Sequence, residues 1–271
     1  MISVIIPTYN EEEVIKNCLD SLAKQTVKDF EIIVVDDGST DKTLEIVKNV
    51  NVLQQKHQGP GAGRNLGAKH TKGDILVFVD ADMTFDRNFL KMLVKSILAC
   101  KTKGTNSNDE YVSNWDSKLA RAYSLNENWD GKKRHPKKVS SKQKVFRAIL
   151  KSEFDKVGGF TAGGYNDDWS LSEKLGYEAD IAEKAIFYHK NPDTFSEIFK
   201  HAQWVGKRKY KLGILGYVAG LVRSSLPVSL VVGLSKAFIY NQPMFLPFKI
   251  VYDFGIFIGI IKYIFTKKGA K

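Results

Sequence analysis

An α/β fold, with a mostly parallel sheet flanked by helices, is what this sequence predicts for roughly its first 190 residues. Three observations carry that expectation. Short apolar runs, ISVII at 2–6, FEIIVV at 30–35 and ILVFV at 75–79, have few polar interruptions, as strands covered on both faces do. Between them, apolar residues recur every three to four positions, the spacing of one helix face. Each run then ends in a polar cluster, at Thr8–Asn10, Asp36–Asp37 and Asp80–Asp82. In open α/β sheets, ligands bind at the carboxyl ends of the strands.

Each element follows from local pattern. The first strand, residues 2–6, stops at Pro7, and Val14, Ile15, Cys18, Leu19 and Leu22 mark a helix between Glu11 and about Gln25. The second strand covers 30–35, and Ser39 or Thr40 is placed to cap a helix with Leu44 and Val47 inward. VNVLQQ at 50–55 reads as a third strand, and GPGAGRNLGAKHT at 59–71 as a glycine-rich turn leading into a helix. DILVFVDADM supplies the fourth strand. A helix over about 87–99 follows, with Phe89, Leu90, Leu93, Val94 and Ile97 inward. Residues 101–141 are rich in Asn, Ser and Lys with few periodic apolar positions, and read as surface helix or loop around a variable acceptor region. QKVFRAIL at 143–150 returns to strand, Gly158–Gly159 and Gly163–Gly164 mark turns, and a helix runs from about Asp168 to Leu175. A last strand near 181–188 ends in Tyr188–His189.

Charge divides the chain near residue 200. Residues 200–271 hold 12 Lys or Arg and one acidic residue, Asp253, whereas residues 1–199 hold 29 of each sign. The basic tail is also apolar, with uncharged stretches at 212–222, 224–235, 237–248 and 254–261 interrupted by Arg223, Lys236, Lys249 and Asp253. None reaches the roughly 18 residues of a membrane-crossing helix. Helices lying in the interface of an anionic membrane account for both features. Two imperfect spans, about 212–234 and 246–265, or a helical subdomain packed on the core or on another subunit, are the alternatives. The same apolar surface allows an oligomer through the C-terminal region. Basic charge mixed with apolar runs, rather than set in a polar stripe, argues against a nucleic-acid partner. Cys18 and Cys100 make neither a disulfide framework nor a metal-site spacing, so reduced thiols are expected. The N-terminus enters a strand without a basic segment, apolar run and cleavage site, so secretion by signal peptide is not expected. The expected location is the cytoplasmic face of the cell membrane, peripheral or weakly integral.

Asp80-Ala81-Asp82 sends two carboxylates from one strand end. A hard divalent cation suits them, because Mg²⁺ is held by one or two carboxylates plus substrate phosphates, and a cation relieves their mutual repulsion. The segments VIIPTYNEE (4–12), IIVVDDGSTD (32–41), GPGAGRNLGAKHTKGD (59–74), LVFVDADM (76–83) and VGGF with NDDWSLSEKLGY (157–177) surround that pair in a fixed order. Together they resemble the inverting glycosyltransferases of family 2, enzymes of the GT-A fold that use nucleotide-diphospho-sugars.

With the charge division near residue 200, the resemblance, which covers about residues 1–190, gives a GT-A nucleotide-sugar-binding and catalytic domain over 1–199 and leaves a basic amphipathic helical region, for membrane attachment, over 200–271. It implies that Pro7, Thr8 and Tyr9 line the nucleotide pocket with Glu11 near the base or ribose. Asp37 would accept the base N–H with Asp36 beside it, and Gly61 and Arg64 would border the base and diphosphate. Asp80 would contact ribose or metal, with Ala81 following it in the motif. Asp82 would bind the Mn²⁺ or Mg²⁺ that bridges both phosphates, and His189 would complete the metal shell. Asp168 would be the general base, with Asp167 before it. UDP is the family's commonest nucleotide, and GDP or dTDP is compatible. The implied reaction is metal-dependent, inverting transfer of a sugar to a lipid-linked or glycan acceptor hydroxyl. Alternatives are a polyprenyl- or dolichyl-phosphate acceptor, or a non-catalytic scaffold of the same fold on a membrane. Asp167 and Ser170 stand where the family usually has Glu and often has an acid. Gln203–Trp204 lacks the Gln-x-x-Arg-Trp motif of processive synthases.

Overall fold

The structure is a computed structural model that describes residues 1–161, 167–208 and 210–266. The chain opens with β1 (Ile2–Thr8), α1 (Ile15–Ala23), β2 (Phe30–Asp36), α2 (Thr43–Val47), β3 (Asn51–Gln54) and α3 (Pro60–Lys69). It continues through β4 (Ile75–Phe78), β5 (Met83–Phe85), α4 (Phe89–Leu98), β6 (Gly104–Asn106), β7 (Glu110–Val112) and α5 (Lys118–Asn126). Then come β8 (Lys142–Gln143), β9 (Ala148–Leu150), α6 (Lys151–Lys156), a 3₁₀ turn at Asp167–Trp169, α7 (Ser170–Leu175), β10 (Ala179–Ile181) and β11 (Phe187–His189). The helices α8 (Phe195–Gly206), α9 (Gly213–Arg223), α10 (Leu226–Ile239) and α11 (Phe245–Thr266) close the described chain. Two compact units result. One holds Met1–Tyr111 and Lys138–His189; the other holds Val112–Lys137 and the chain from Lys190 onward.

The first unit is built on a mixed sheet whose described strands run in the order β3-β2-β1-β4-β9-β6-β10-β8. β3, β2, β1 and β4 are mutually parallel, while β9 is antiparallel to both β4 and β6. All seven residues of β1 are buried. Alternation along the strand sends Ile2, Val4 and Ile6 to one face, against Ile15, Cys18 and Leu22 of α1 and Leu90, Leu93 and Val94 of α4. Ile5 faces the other side with Ile33, Leu76 and Phe78, against Ala68 of α3, Phe154 and Leu171. Burial on both faces explains the near-continuous apolar runs in the sequence. The parallel register, with Thr8 opposite Asp36, then brings the ends of β1 and β2 to one edge.

Several elements differ from the sequence expectation, each for a local reason. Residues 101–141 are more than surface helix or loop, since β6 lies inside the sheet between β9 and β10. Its Gly104, Thr105 and Asn106 carry no apolar signal, and Thr105 Oγ1 spends its hydrogen on the Leu93 carbonyl at 2.7 Å. The expected strand at 143–150 is two strands, β8 and β9. The expected strand near 181–188 is likewise split. β10 ends at Ile181, Lys184 takes a left-handed turn (φ 61°), and β11 joins a separate sheet, β5-β11-β7. The glycine-rich stretch at 59–71 is mostly helix already, because Pro60 starts α3. Neither Ser39 nor Thr40 caps α2; Asp41 Oδ1 instead accepts from the Thr43 N–H at 3.0 Å. The turn expected at Gly163–Gly164 lies outside the described residues.

The second unit is helical. Ala122 and Tyr123 of α5, Ile198 and Ala202 of α8, and Phe245, Phe248 and Tyr252 of α11 form its core. Thr194 and Glu197 make a reciprocal capping box at the start of α8. Inside the unit, Lys249 Nζ pairs with Asp253 Oδ1 at 2.8 Å, and Ser229 Oγ donates to Asp253 Oδ2 at 2.7 Å.

Candidate active site

Every site residue expected from the sequence belongs to the first unit, and all are described. The centre is Asp80, just beyond β4. Val79 and Ala81 are buried in the core while Asp80 and Asp82 keep solvent access, so each acid turns away from the apolar residue before it. Arg64 Nη2 donates to Asp80 Oδ1 at 2.7 Å, and Arg147 Nη1 to Oδ2 at 3.2 Å. Burial by itself would raise the Asp80 pKa; Arg147 and Arg64, with His189, outweigh it and hold the carboxyl well below the usual carboxylate range.

Arg64 reaches the site from the sheet-facing side of α3, where Gly61, Gly63, Gly67 and Ala68 are also buried. Its other nitrogen, Nη1, hydrogen-bonds Asp168 Oδ1, so one guanidinium joins Asp80 to Asp168. Burial works against its charge, but Asp80 and Asp168 raise its pKa further still, and it stays a cation. Its Nε is buried without a hydrogen-bond partner among the described residues. Beside Asp168, Asp167 Oδ2 accepts from the Gly61 N–H at 2.9 Å. A Cβ on Gly61 would stand 2.7 Å from that oxygen, so the contact requires glycine. Burial and the Asp168 charge raise the Asp167 pKa.

Asp82 faces a different partner. β5 and β11 pair antiparallel with Met83 opposite His189, which sets His189 Nε2 2.9 Å from Asp82 Oδ1. The other ring nitrogen, Nδ1, lies 2.8 Å from Glu110 Oε1. No group of three or more His, Cys, Asp or Glu side chains forms a ready-made metal site among the described residues.

Nearby, burial and the Asp82, Asp80 and Asp41 charges push the Glu11 pKa up to about 7 from its ordinary 4.5. A raised acid of this kind stabilises the fold below pH 4.5, and that contribution is lost as pH rises through 7. Glu11→Gln is therefore expected to gain stability relative to the parent between those values. Thermal unfolding of both proteins against pH, without divalent cations, measures the difference; parallel curves would count against it.

At the edge formed by β1 and β2, Thr8 Oγ1 is buried with no hydrogen-bond partner among the described residues. Pro7 is buried beside it, whereas Tyr9 is exposed and its ring centroid lies 4.2 Å from that of His57. Asp36 accepts from the Gly38 and Ser39 N–H groups at 3.2 Å, which closes the turn after β2. Asp37 is buried and fully subscribed. Its Oδ1 accepts from Gln55 Nε2 at 2.6 Å and Gln58 N at 2.8 Å. Its Oδ2 accepts from Gly59 N and faces His57 Nδ1, each at 2.8 Å. Gly59 adopts φ 91°, a region that favours glycine, as it turns the chain into α3.

Sequence reasoning missed Arg147, Glu110, Gln55 and His57. Arg147 had a signal, a lone charge within the strand-like VFRAIL. The others become partners only through strand pairing and loop closure.

A family model described as "Glycosyl transferase family 2" matches residues 3–158. The poly(ribitol-phosphate) beta-N-acetylglucosaminyltransferase TarS of Staphylococcus aureus strain Mu50 is 40% identical over 121 residues, 38% of this chain and 21% of TarS, so the chain spans about a fifth of that relative. The glycosyltransferase AglE of Haloferax volcanii is 29% identical over 232 residues, 80% of this chain and 76% of AglE. Two solved structures share the fold. S. aureus TarS 1–349 in complex with UDP-GlcNAc superposes with a TM-score of 0.56 at 19% identity, covering 98% of this chain and 92% of that one. The mannosyltransferase PcManGT from Pyrobaculum calidifontis, in complex with GDP-Man and Mn²⁺, gives 0.59 at 20% identity, covering 98% and 88%.

Proposed function

The chain belongs to glycosyl transferase family 2, and on that premise we propose that it is a metal-dependent, inverting transferase moving a sugar from a nucleoside-diphosphate-sugar to a lipid-linked or glycan acceptor hydroxyl. The observation that carries the reading is the division of acids about Asp80. Asp82 pairs with His189, and Asp168 pairs with Arg64, which itself bonds Asp80.

Asp82 and His189 would hold a divalent cation, with Glu110 orienting the imidazole through Nδ1. Two protein ligands fit a site completed by diphosphate oxygens, and a solved relative of the fold contains Mn²⁺. When bound, the cation supplies Lewis-acid stabilisation of the leaving diphosphate. Arg64 adds fixed positive charge beside it. Asp168 takes the acceptor's proton as general base. The acceptor oxygen then bonds the anomeric carbon on the side opposite the diphosphate, whose bond breaks, and the configuration inverts. UDP is the nucleotide we assign to the pocket at Pro7–Tyr9 and Asp37. TarS, solved with UDP-GlcNAc, supports it.

We assign catalysis to residues 1–199 and membrane attachment to 200–271. α9 turns Ile214, Leu215, Val218 and Val222 outward, and α10 turns Leu226, Val231, Leu234 and Phe238 outward, with Phe238 89% exposed. Gly216, Ser229 and Gly233 are the buried residues of these helices. That reverses the usual arrangement of a helix on a water-facing surface, and it supports burial of the outer faces among lipids. Asp253 is tied to Lys249 inside the unit, and the exposed Lys211 and Arg223 are assigned to anionic headgroups. No single described helix is long and apolar enough to cross a membrane, and α9 with α10 qualifies only as a pair bent by 58°. The reading is therefore peripheral attachment at the cytoplasmic face.

Calorimetry with UDP, with and without Mn²⁺, tests the function. Mn²⁺ is expected to tighten UDP binding, and Asp82→Ala to weaken the Mn²⁺-dependent binding by at least the roughly 10–100-fold that losing an outer-shell partner costs, with the fold intact. Failure of every nucleoside diphosphate to bind in the presence of Mn²⁺ would overturn the enzyme reading and leave the inert scaffold.

A further inference from the structure

The proposed nucleotide pocket is already occupied by one of the protein's own rings. Of the four donors at Asp37, Gln58 and Gly59 contribute backbone N–H groups, and Gln55 contributes an amide from next to β3. The two backbone donors are set by the path of the chain into α3, and the Gln55 amide belongs to a half-buried side chain. The fourth is the His57 imidazole, half exposed, with its other surface against the exposed Tyr9. A carboxylate offers about four acceptor positions, and all four at Asp37 are used. A ligand donor can therefore reach Asp37 only by displacing a partner, and His57 is the one whose half-exposed ring also lies against Tyr9.

Building on the proposed function, we infer that His57 is a built-in competitor for the nucleobase, holding Asp37 Oδ2 and the Tyr9 ring until a base takes both. The geometry states what the replacement must look like. It needs a flat heteroaromatic ring to lie against Tyr9 and a ring N–H aimed at a carboxylate oxygen, since His57 sets its ring 4.2 Å from that of Tyr9 and its Nδ1 2.8 Å from Asp37 Oδ2. Uracil and thymine carry such an N–H at N3, and guanine at N1. Cytosine and adenine present a lone pair at the corresponding ring nitrogen, which would face the buried carboxylate unpaired. Asp37 thus selects for uridine, thymidine or guanosine nucleotides, and His57 weakens all of them by the fraction of time it remains in place.

The test uses the full chain, calorimetry with UDP and CDP at fixed Mn²⁺, and long-range ¹H–¹⁵N NMR of the histidine rings. UDP is expected to bind at least about tenfold tighter than CDP. Adding UDP should shift the His57 ring signals as Nδ1 leaves Asp37. His57→Ala, whose side chain is removed from a half-exposed position, should still unfold cooperatively as a folded protein and bind UDP several-fold tighter. UDP binding with unmoved His57 signals, or weaker UDP binding in His57→Ala, would overturn this inference alone. No nucleotide binding to either protein would overturn it together with the proposed function.

Discussion

Asp168→Asn is expected to lower kcat by about 10²–10⁴-fold, the range removed with a general base, while changing KM for the donor far less. The substitution keeps the size of the side chain and an oxygen for Arg64, so the bridge from Arg64 to Asp80 can persist. What disappears is the capacity to take the acceptor's proton. Steady-state kinetics at saturating donor, with a melting curve as control, measures the split. The result also separates two acceptor classes. A hydroxyl must be deprotonated in the reaction, but a polyprenyl phosphate arrives ionised and needs no base. Near-full activity in Asp168→Asn would therefore point to the phosphate acceptor, and an acid-labile lipid monophosphosugar product would identify it.

The second large effect is on stability. Arg64→Met is expected to destabilise the first unit by about 2–3 kcal/mol, read from urea unfolding. Arg64 is buried, and it is the only described partner bridging Asp80 and Asp168. Methionine fills similar space but leaves two carboxylates in close company, with Arg147 and His189 to offset Asp80. A fully buried ion pair broken on one side costs about 3–5 kcal/mol. The figure here is smaller because Asp80 is 34% exposed and Asp168 43%. An unchanged unfolding midpoint would mean that solvent screens the carboxylates well enough without Arg64. UDP binding to the same variant gives a second reading, since Arg64 is assigned beside the diphosphate.

The parallel part of the sheet was legible because its strands are covered on both faces. Burial on both sides leaves little room for polar residues in ISVII, where only Ser3 is polar, or in ILVFV, and the polar clusters at their ends stand out against that background. β6 was hidden for the opposite reason. A strand of Gly, Thr and Asn can sit inside a sheet when its neighbours supply the packing, and then nothing in its own composition reports the burial. The apolar tail was legible as helical but not as to length or direction, since α11 runs for 22 residues straight through Lys249, Asp253 and Lys262. Only the packed unit separates the buried small residues of α9 and α10 from their outward large ones.

The same division runs through the site. Sequence alone determined which acids end the strands, because strand ends are local events and a hydrophobic run that stops at Asp80 or Asp36 is visible in one dimension. It also determined the family, whose segments lie in order along the chain. Only the tertiary structure decided what each acid faces. Asp80 meets arginines from α3 and from beside β9, Asp82 meets a histidine brought up by antiparallel pairing, and Asp37 meets His57 across a loop. Electrostatic partners are chosen by distance in space, and these partners lie 16, 67 and 107 residues from Asp80 or Asp82, or in a loop that must first fold back.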